Sequence, residues 1–393
     1  MTQKTPITFL SVLHPLWLVG FRPFFTLGLI CGAVLPVVWV LILMGKIDLG
    51  GAGLTPTQWH GHEMFFGFGW AVLGGFLLTA SKNWVGIRGL HGRLLALAVL
   101  FWLVERWAVL YLPMDGIYGL VWSNLCVTYL VLYLLWTMIL NRKADSFSDN
   151  YLFWIALPLF ILGKNLILRP EYFNQGIAVT VGLFRLSFAI MFERTLTQFM
   201  KNAMGVPLPR IGWLDNLIKL SLLAAVFVPF LPDLVGVGLL LLAGLSLLGR
   251  LVIWHPHQGM RSFGIGIMYL GYLGLIVHLV FEAAKIYGGF GMIGSLSLHL
   301  FTFLCMGMII PSMMVRISQG HTGRKPIFTV WDKFAISFML AGAFFRLVAT
   351  QIWAEHYILW ITLAGAGWSL CFALLGFRLI PFMWQARIDG KVH

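Results

Sequence analysis

Acidic side chains are scarce in this chain. Asp and Glu number 14 among 393 residues, and charged residues of both signs make up only 10%. A soluble domain carries about 25% charge. There is too little polar side chain to coat a water-facing globule, so a soluble enzyme is excluded. Cysteine is almost lacking as well. Cys31, Cys126, Cys305 and Cys371 stand alone inside apolar stretches, which argues against disulfides and against a cysteine-rich metal site. There is no phosphate-binding glycine loop, no Gly-x-Ser-x-Gly elbow, no HExxH and no EF-hand loop. ATP-driven and hydrolytic functions have no residues to carry them. No long linker marks a second domain, and the polar start, Met1 to Thr8, has no cleavage-site pattern.

What is present is apolar. Hydrophobic residues make up 60% of the chain, in continuous rather than alternating runs of about 20 residues. The fold class expected is all-α: one integral membrane domain over residues 1–393, with about twelve transmembrane helices in the bilayer. The spans fall at about 22–44, 60–81, 93–111, 116–140, 151–168, 176–199, 212–231, 234–253, 263–285, 292–315, 329–350 and 356–379. The fourth and seventh are expected to be interrupted by nothing worse than a polar residue. The net charge of +13 does not indicate nucleic acid, because Lys and Arg cluster in short loops beside the spans. With both termini cytoplasmic, most basic residues fall inside, as the positive-inside rule requires. The exceptions are Lys46, Arg106, Lys164, Arg169, Arg185, Lys285 and Arg346.

That topology places His60 and His62 at the outer mouth of span two, His278 and His299 in the outer parts of spans nine and ten, and His356 at the outer start of span twelve. Polar groups at membrane depth are functional candidates, and histidine is the commonest metal and haem ligand. The metal candidates are therefore His60, His62, His278, His299 and His356. Glu63, Glu105, Arg106, Arg185, Glu282, Lys285 and Arg346 share this level. Arg106, Arg185 and Arg346 suit haem propionates, because a guanidinium fork binds carboxylates. Structural ion pairing is the competing role for each.

In a regular helix His60 and His62 point about 200° apart, so they do not chelate one metal together. One of them with His299 forms a natural haem clamp. Glu63 lies three residues after His60 and is expected to orient it. The bland alternatives are interfacial histidines beside a belt tryptophan, Trp59, and ordinary helix packing at Gly67, Gly69, Gly74, Gly75 and Gly307. The loop histidines His255, His257 and His321 are weaker metal candidates. Spans two, six and ten share an orientation and each ends in a small basic loop. This period suggests three pseudo-repeated four-helix units.

Several segments resemble one known family, NnrS, in order along nearly the whole chain. They are Gly20-Phe21-Arg22-Pro23-Phe24-Phe25, Trp59-His60-Gly61-His62-Glu63-Met64-Phe65-Phe66-Gly67-Phe68, Gly75-Phe76-Leu77-Leu78-Thr79-Ala80 with Asn83-Trp84, and Gly320-His321-Thr322-Gly323-Arg324. The resemblance implies a multi-pass protein of the bacterial inner membrane that contains haem, of the b type, and copper. It implies protection against nitric oxide and nitrosative stress, with nitric oxide or nitrosylated iron as the ligand. The layout resembles more remotely subunit I of haem–copper oxidases, where histidines on spans two and ten hold a haem. Spans six and seven here contain no histidine, so oxidase-type copper ligands are missing and any enzyme activity is left open. The competing function is a secondary transporter of a metal or small anion, which would use broken helices near the midplane. Arg22 is expected to cap the start of span one, with Pro23 tolerated early in the helix.

Overall fold

The computed structural model describes residues 11, 14–49, 53–288 and 291–391. The expectation for Met1 to Thr8 falls outside them. Among the described residues all regular structure is helical. Eleven helices are long and apolar enough to cross a membrane, and a bent pair supplies a twelfth crossing. In chain order they are α1 (Phe21–Leu43), α2 (Pro56–Val85), α3 (Gly92–Tyr111), α4 (Ile117–Ser123 with Leu125–Leu140), α5 (Ser148–Ile167), α6 (Pro170–Met204), α7 (Gly212–Phe230), α8 (Asp233–Ile253), α9 (Phe263–Ile286), α10 (Leu296–Gly320), α11 (Val330–Ile352) and α12 (Ala354–Trp384). All four cysteines are free and buried.

Two features depart from the sequence reading. The first is α4, which bends by 52° at Asn124. The Asn124 amide donates to Leu120 O at 2.8 Å. This local bond competes with helix continuation, as asparagine side chains do. The second is the start of α2, which begins at Pro56 rather than near residue 60. Thr55 and Gln58 form a reciprocal capping box and Pro56 fills the first helical turn. His60 and His62 therefore sit inside a formed helix rather than at its mouth.

Three helices open into π-helical turns: Glu63–Gly69 in α2, Leu300–Met306 in α10 and Phe345–Ala349 in α11. Such turns are rare and concentrate at functional sites. The widened turn of α2 offers its Gly67 carbonyl to Trp102 Nε1 at 3.2 Å.

The helices group into two units. One holds the described residues of Met1–Phe173, Met314–Ile327 and Ala373–His393; the other holds Asn174–Met313 and Phe328–Phe372. In the first unit α1 packs on α2 at van der Waals contact. A Cβ on Gly75 would lie 2.6 Å from Phe24 Cβ, so only glycine permits this approach. Trp70 of α2 meets Phe160 of α5 with ring centroids 5.0 Å apart. In the second unit α9 meets α10 at Gly274, where a Cβ would lie 2.7 Å from the Leu304 carbonyl carbon. A buried ion network ties α6, α7 and α8 together. Arg250 pairs with Glu193 at 3.4 Å and Asp215 at 3.2 Å, and Lys219 pairs with Glu193 at 3.3 Å. Arg250 Nε also donates to the Tyr272 hydroxyl of α9 at 2.9 Å. Charges at this depth persist only when paired.

The Gly-Phe-Arg-Pro and Gly-His-Thr-Gly-Arg motifs meet in the first unit. Arg22 does not cap its own helix. Its Nη1 donates to Met383 O at 2.8 Å and Gln385 O at 2.7 Å, satisfying carbonyls at the C-terminal end of α12. Thr79 of α2 does the work expected of Arg22, because its hydroxyl accepts the Phe21 amide at 2.9 Å. Arg387 donates to His321 O at 2.9 Å, and Ile388 N donates to Thr322 O at 3.2 Å. Arg324 donates to Gln385 Oε1 at 2.9 Å. The two motifs thus clamp the C-terminal segment.

His321 sits in a loop against Phe21, with ring centroids 5.4 Å apart. Burial, then the charges of Lys82, Arg387 and Arg22, push its pKa down to about 4. The unfolded ring titrates near 6.5. The folded pKa is the lower one, so the folded protein favours the neutral ring. This contribution is intact above about pH 6.5 and is lost as the pH falls towards 4. The expected outcome is a thermal unfolding midpoint in detergent that drops through this window. His321→Asn should flatten the drop, and an unchanged slope in the variant would refute the assignment.

Candidate functional site

The most concentrated chemistry in the first unit surrounds His62. Its side chain is fully buried, and its Nδ1 lies 2.9 Å from Glu63 Oε1. A carboxylate at Nδ1 accepts a hydrogen bond from the Nδ1–H tautomer, which leaves the lone pair on Nε2. That Nε2 is buried and makes no hydrogen bond among the described residues. A buried polar atom left unsatisfied is costly and calls for an explanation. A histidine held by a carboxylate through one nitrogen, with the other bare, has the form of a metal-ligating imidazole.

Glu63 was expected to orient His60, and it orients His62 instead. The backbone is regular helix up to Glu63, whose N–H bonds to Trp59 O and His60 O, and its carboxylate is drawn to His62 and to Arg106 instead. His60 instead stacks on Trp39, with ring centroids 4.2 Å apart and planes 16° apart. The two histidines have separate surroundings, as the 200° argument requires.

A chain of charges leads away from His62. Glu63 Oε2 lies 3.3 Å from Arg106 Nη1, Arg106 Nη2 lies 3.3 Å from Glu105, and Glu105 Oε2 lies 2.8 Å from Lys164 Nζ. Glu105 and Lys164 are fully buried. Glu105 has a further task. Its Oε1 accepts the amides of Cys126 at 2.8 Å and Val127 at 3.1 Å. These are the first free N–H groups of the second half of α4, where a helix exposes unsatisfied donors and partial positive charge. Gly67 faces the same cluster. A Cβ there would lie 2.7 Å from Arg106 Nη1 and 2.8 Å from Glu63 Oε2. Arg106 Nε makes no hydrogen bond among the described residues, so it is available to an added acceptor.

The second unit has two further sites. His299 ends the first helical turn of α10, directly before the π-helical turn. Its Nδ1 lies 2.9 Å from Ser295 O and 3.1 Å from Arg346 Nη2. Arg346 is 5% exposed and its Nη1 has no hydrogen bond among the described residues. His278 is engaged at both nitrogens. Nδ1 lies 2.8 Å from Ser297 O, and Nε2 accepts from Arg185 Nε at 2.9 Å. Ser297 in turn donates its hydroxyl to Glu282.

The structure thus joins His62 with Arg106, His299 with Arg346, and His278 with Arg185. His356 is exposed and meets only the edge of Trp360. His62 belongs to the first unit and His299 to the second. Among the described residues, no three or more His, Cys, Asp or Glu side chains gather as a metal site. Lys164 and Asn124 escaped the sequence reading as site residues. Lys164 had been noted only as a basic residue on the sparse side, and that exception was the available signal.

Removing Glu105 should be costly, because it strands Lys164 and two helix amides without an acceptor. Glu105→Ala should lower the unfolding free energy in detergent by about 3–5 kcal/mol. Adding Lys164→Met to that variant should recover part of the loss. Equal and additive losses in the two single variants would refute the coupling.

Compared with known families, the chain matches the family described as NnrS protein over residues 15–387. No curated protein sequence matches it significantly.

Proposed function

The chain belongs to the NnrS family, and on that premise we propose that it is a haem-bearing membrane protein that binds or processes nitric oxide or iron-nitrosyl species and so relieves nitrosative stress. The membrane is read as the bacterial inner membrane. The observation that carries the proposal is the bare, buried Nε2 of His62 with Glu63 on Nδ1. Haem, when bound, supplies an iron centre that ligates nitric oxide. This chain's residues prepare for it in three ways. Glu63 fixes the His62 tautomer and makes the imidazole a stronger donor. Arg106 Nε is a donor without a hydrogen-bond partner among the described residues, suited to a propionate. The buried Phe66 ring stacks on His62, with centroids 5.7 Å apart, and keeps water from it. His60, whose ring stacks on Trp39, is assigned no iron.

Copper is proposed on the family resemblance alone, with His278 and His356 as the donors left to it. No gathered donor set fits it among the described residues, and no step is assigned to it.

One observation favours a second reading. The break in α4, with a buried carboxylate on the freed helix start, is the kind of discontinuous helix transporters use for ions. A secondary transporter of a metal or small anion would show flux into proteoliposomes without a visible chromophore.

An absorption spectrum with metal analysis of detergent-purified protein separates the two. A Soret band is expected in the wild type. It should vanish in His62→Ala and persist in His60→Ala. Glu63→Gln should retain haem and raise its reduction potential. Colourless protein from haem-replete cells would overturn the proposal.

A further inference from the structure

The clamp on the C-terminal segment leaves an imbalance of charge that the proposed haem site does not use. Arg387 donates to the His321 carbonyl while Arg324 and Arg22 both donate to Gln385, so three guanidinium groups converge on one end of the first unit, and Lys82 adds its charge beside His321. Among the described residues, one carboxylate pairs with any of the four. That is Asp389, and it is spent on Arg387 through both oxygens. The undescribed residues include no Asp or Glu, so no side chain there makes up the deficit. Arg22 is 1% exposed and turns to backbone carbonyls for its hydrogen bonds. Arg324 keeps a buried Nη1 without a hydrogen bond among the described residues. Its guanidinium lies 4.1 Å from the Phe382 ring centroid, which fixes its plane. The His321 ring packs on Phe21, with centroids 5.4 Å apart.

We propose that this end of the first unit binds a phosphate group, carried by an anionic lipid headgroup or free in solution, among Lys82, His321, Arg324 and Arg387. A single carboxylate would be satisfied by one guanidinium fork, as Asp389 is by Arg387. Several cations converging from separate segments suit a tetrahedral anion with more acceptor oxygens. Lys82 comes from the last turn of α2, Arg324 from the loop after α10 and Arg387 from the segment after α12. The loop that carries His321 is fixed in place. Gly323 takes φ +82° and packs so closely on Asp389 that a Cβ would lie 2.8 Å from its carboxyl carbon. Basic pockets between transmembrane helices near the membrane surface are established headgroup sites in chemistry. The site is independent of the haem reading.

The test uses full-length protein purified in detergent. Native mass spectrometry measures retained phosphatidylglycerol against phosphatidylcholine, and phosphorus analysis measures total bound phosphate. Inorganic phosphate is then added as competitor. The wild type should retain phosphatidylglycerol selectively. Lys82→Gln and Arg324→Gln should each weaken retention on the order of fivefold. Lys46→Gln, an exposed basic residue beyond the opposite end of α1, should not. Retention that resists inorganic phosphate assigns the site to lipid. Phosphate that binds the wild type, raises its melting temperature and loses both effects in the two variants assigns it to a free anion. Equal retention of both lipids with no phosphate effect overturns the proposal, as does an equal loss in Lys46→Gln. If a variant fails to fold, the wild-type measurement still decides: no bound phosphorus and no phosphate-dependent shift in melting overturns it.

Discussion

The carboxylate of Glu105 meets four demands at once. It accepts two amides from the broken half of α4 and pairs with Lys164 and Arg106. In hydrocarbon none of these donors has water to fall back on. The bend in α4, the buried lysine of α5 and the arginine of α3 are tolerable only together. Arg106 then extends the balance to Glu63, and Glu63 holds His62. The orientation of the candidate ligand is thus the last link in a chain of charge compensation that begins at a helix break.

The same local construction occurs twice. In α2 a histidine precedes a seven-residue π-helical turn, and the next helix supplies an arginine nearby. In α10 and α11 His299, Leu300–Met306 and Arg346 repeat this arrangement. The two differ in their counter-charges. Arg106 is balanced by two carboxylates, whereas the hydrogen bonds of Arg346 reach Ser295 and His299. An arginine without a carboxylate is the better host for an incoming anion, and one locked between two carboxylates is the better brace.

Much of this was legible in the sequence. Hydropathy gave the crossings, and polar residues at membrane depth pointed to His62, His299, Arg106, Arg185 and Arg346. Other parts were legible but outweighed. Thr55, Pro56 and Gln58 spell a helix start, yet a hydrophobic window begins its count at the apolar run and passes over them. The pairing of Glu63 with His62 was not legible. It depends on Arg106, which holds the other oxygen of the Glu63 carboxylate from a different helix, and a neighbour in space is not written in the local sequence. The break at Asn124 was hidden for a related reason. One asparagine in an apolar run reads as a tolerated polar residue until its neighbour in space, Glu105, is known to await the freed amides. The role of Arg22 was hidden by distance, since its partners lie 361 and 363 residues away.

That distance sets a clock. A ribosome extends a chain at about 5–20 residues per second, so Met383 and Gln385 emerge roughly 20–70 seconds after Arg22. Through that interval the first helix waits in the membrane with a guanidinium whose carbonyl partners do not yet exist. The start of α1 can reach its final state only when the end of α12 has been made. Losing the segment from Met383 onward would therefore be felt at Arg22, 361 residues earlier.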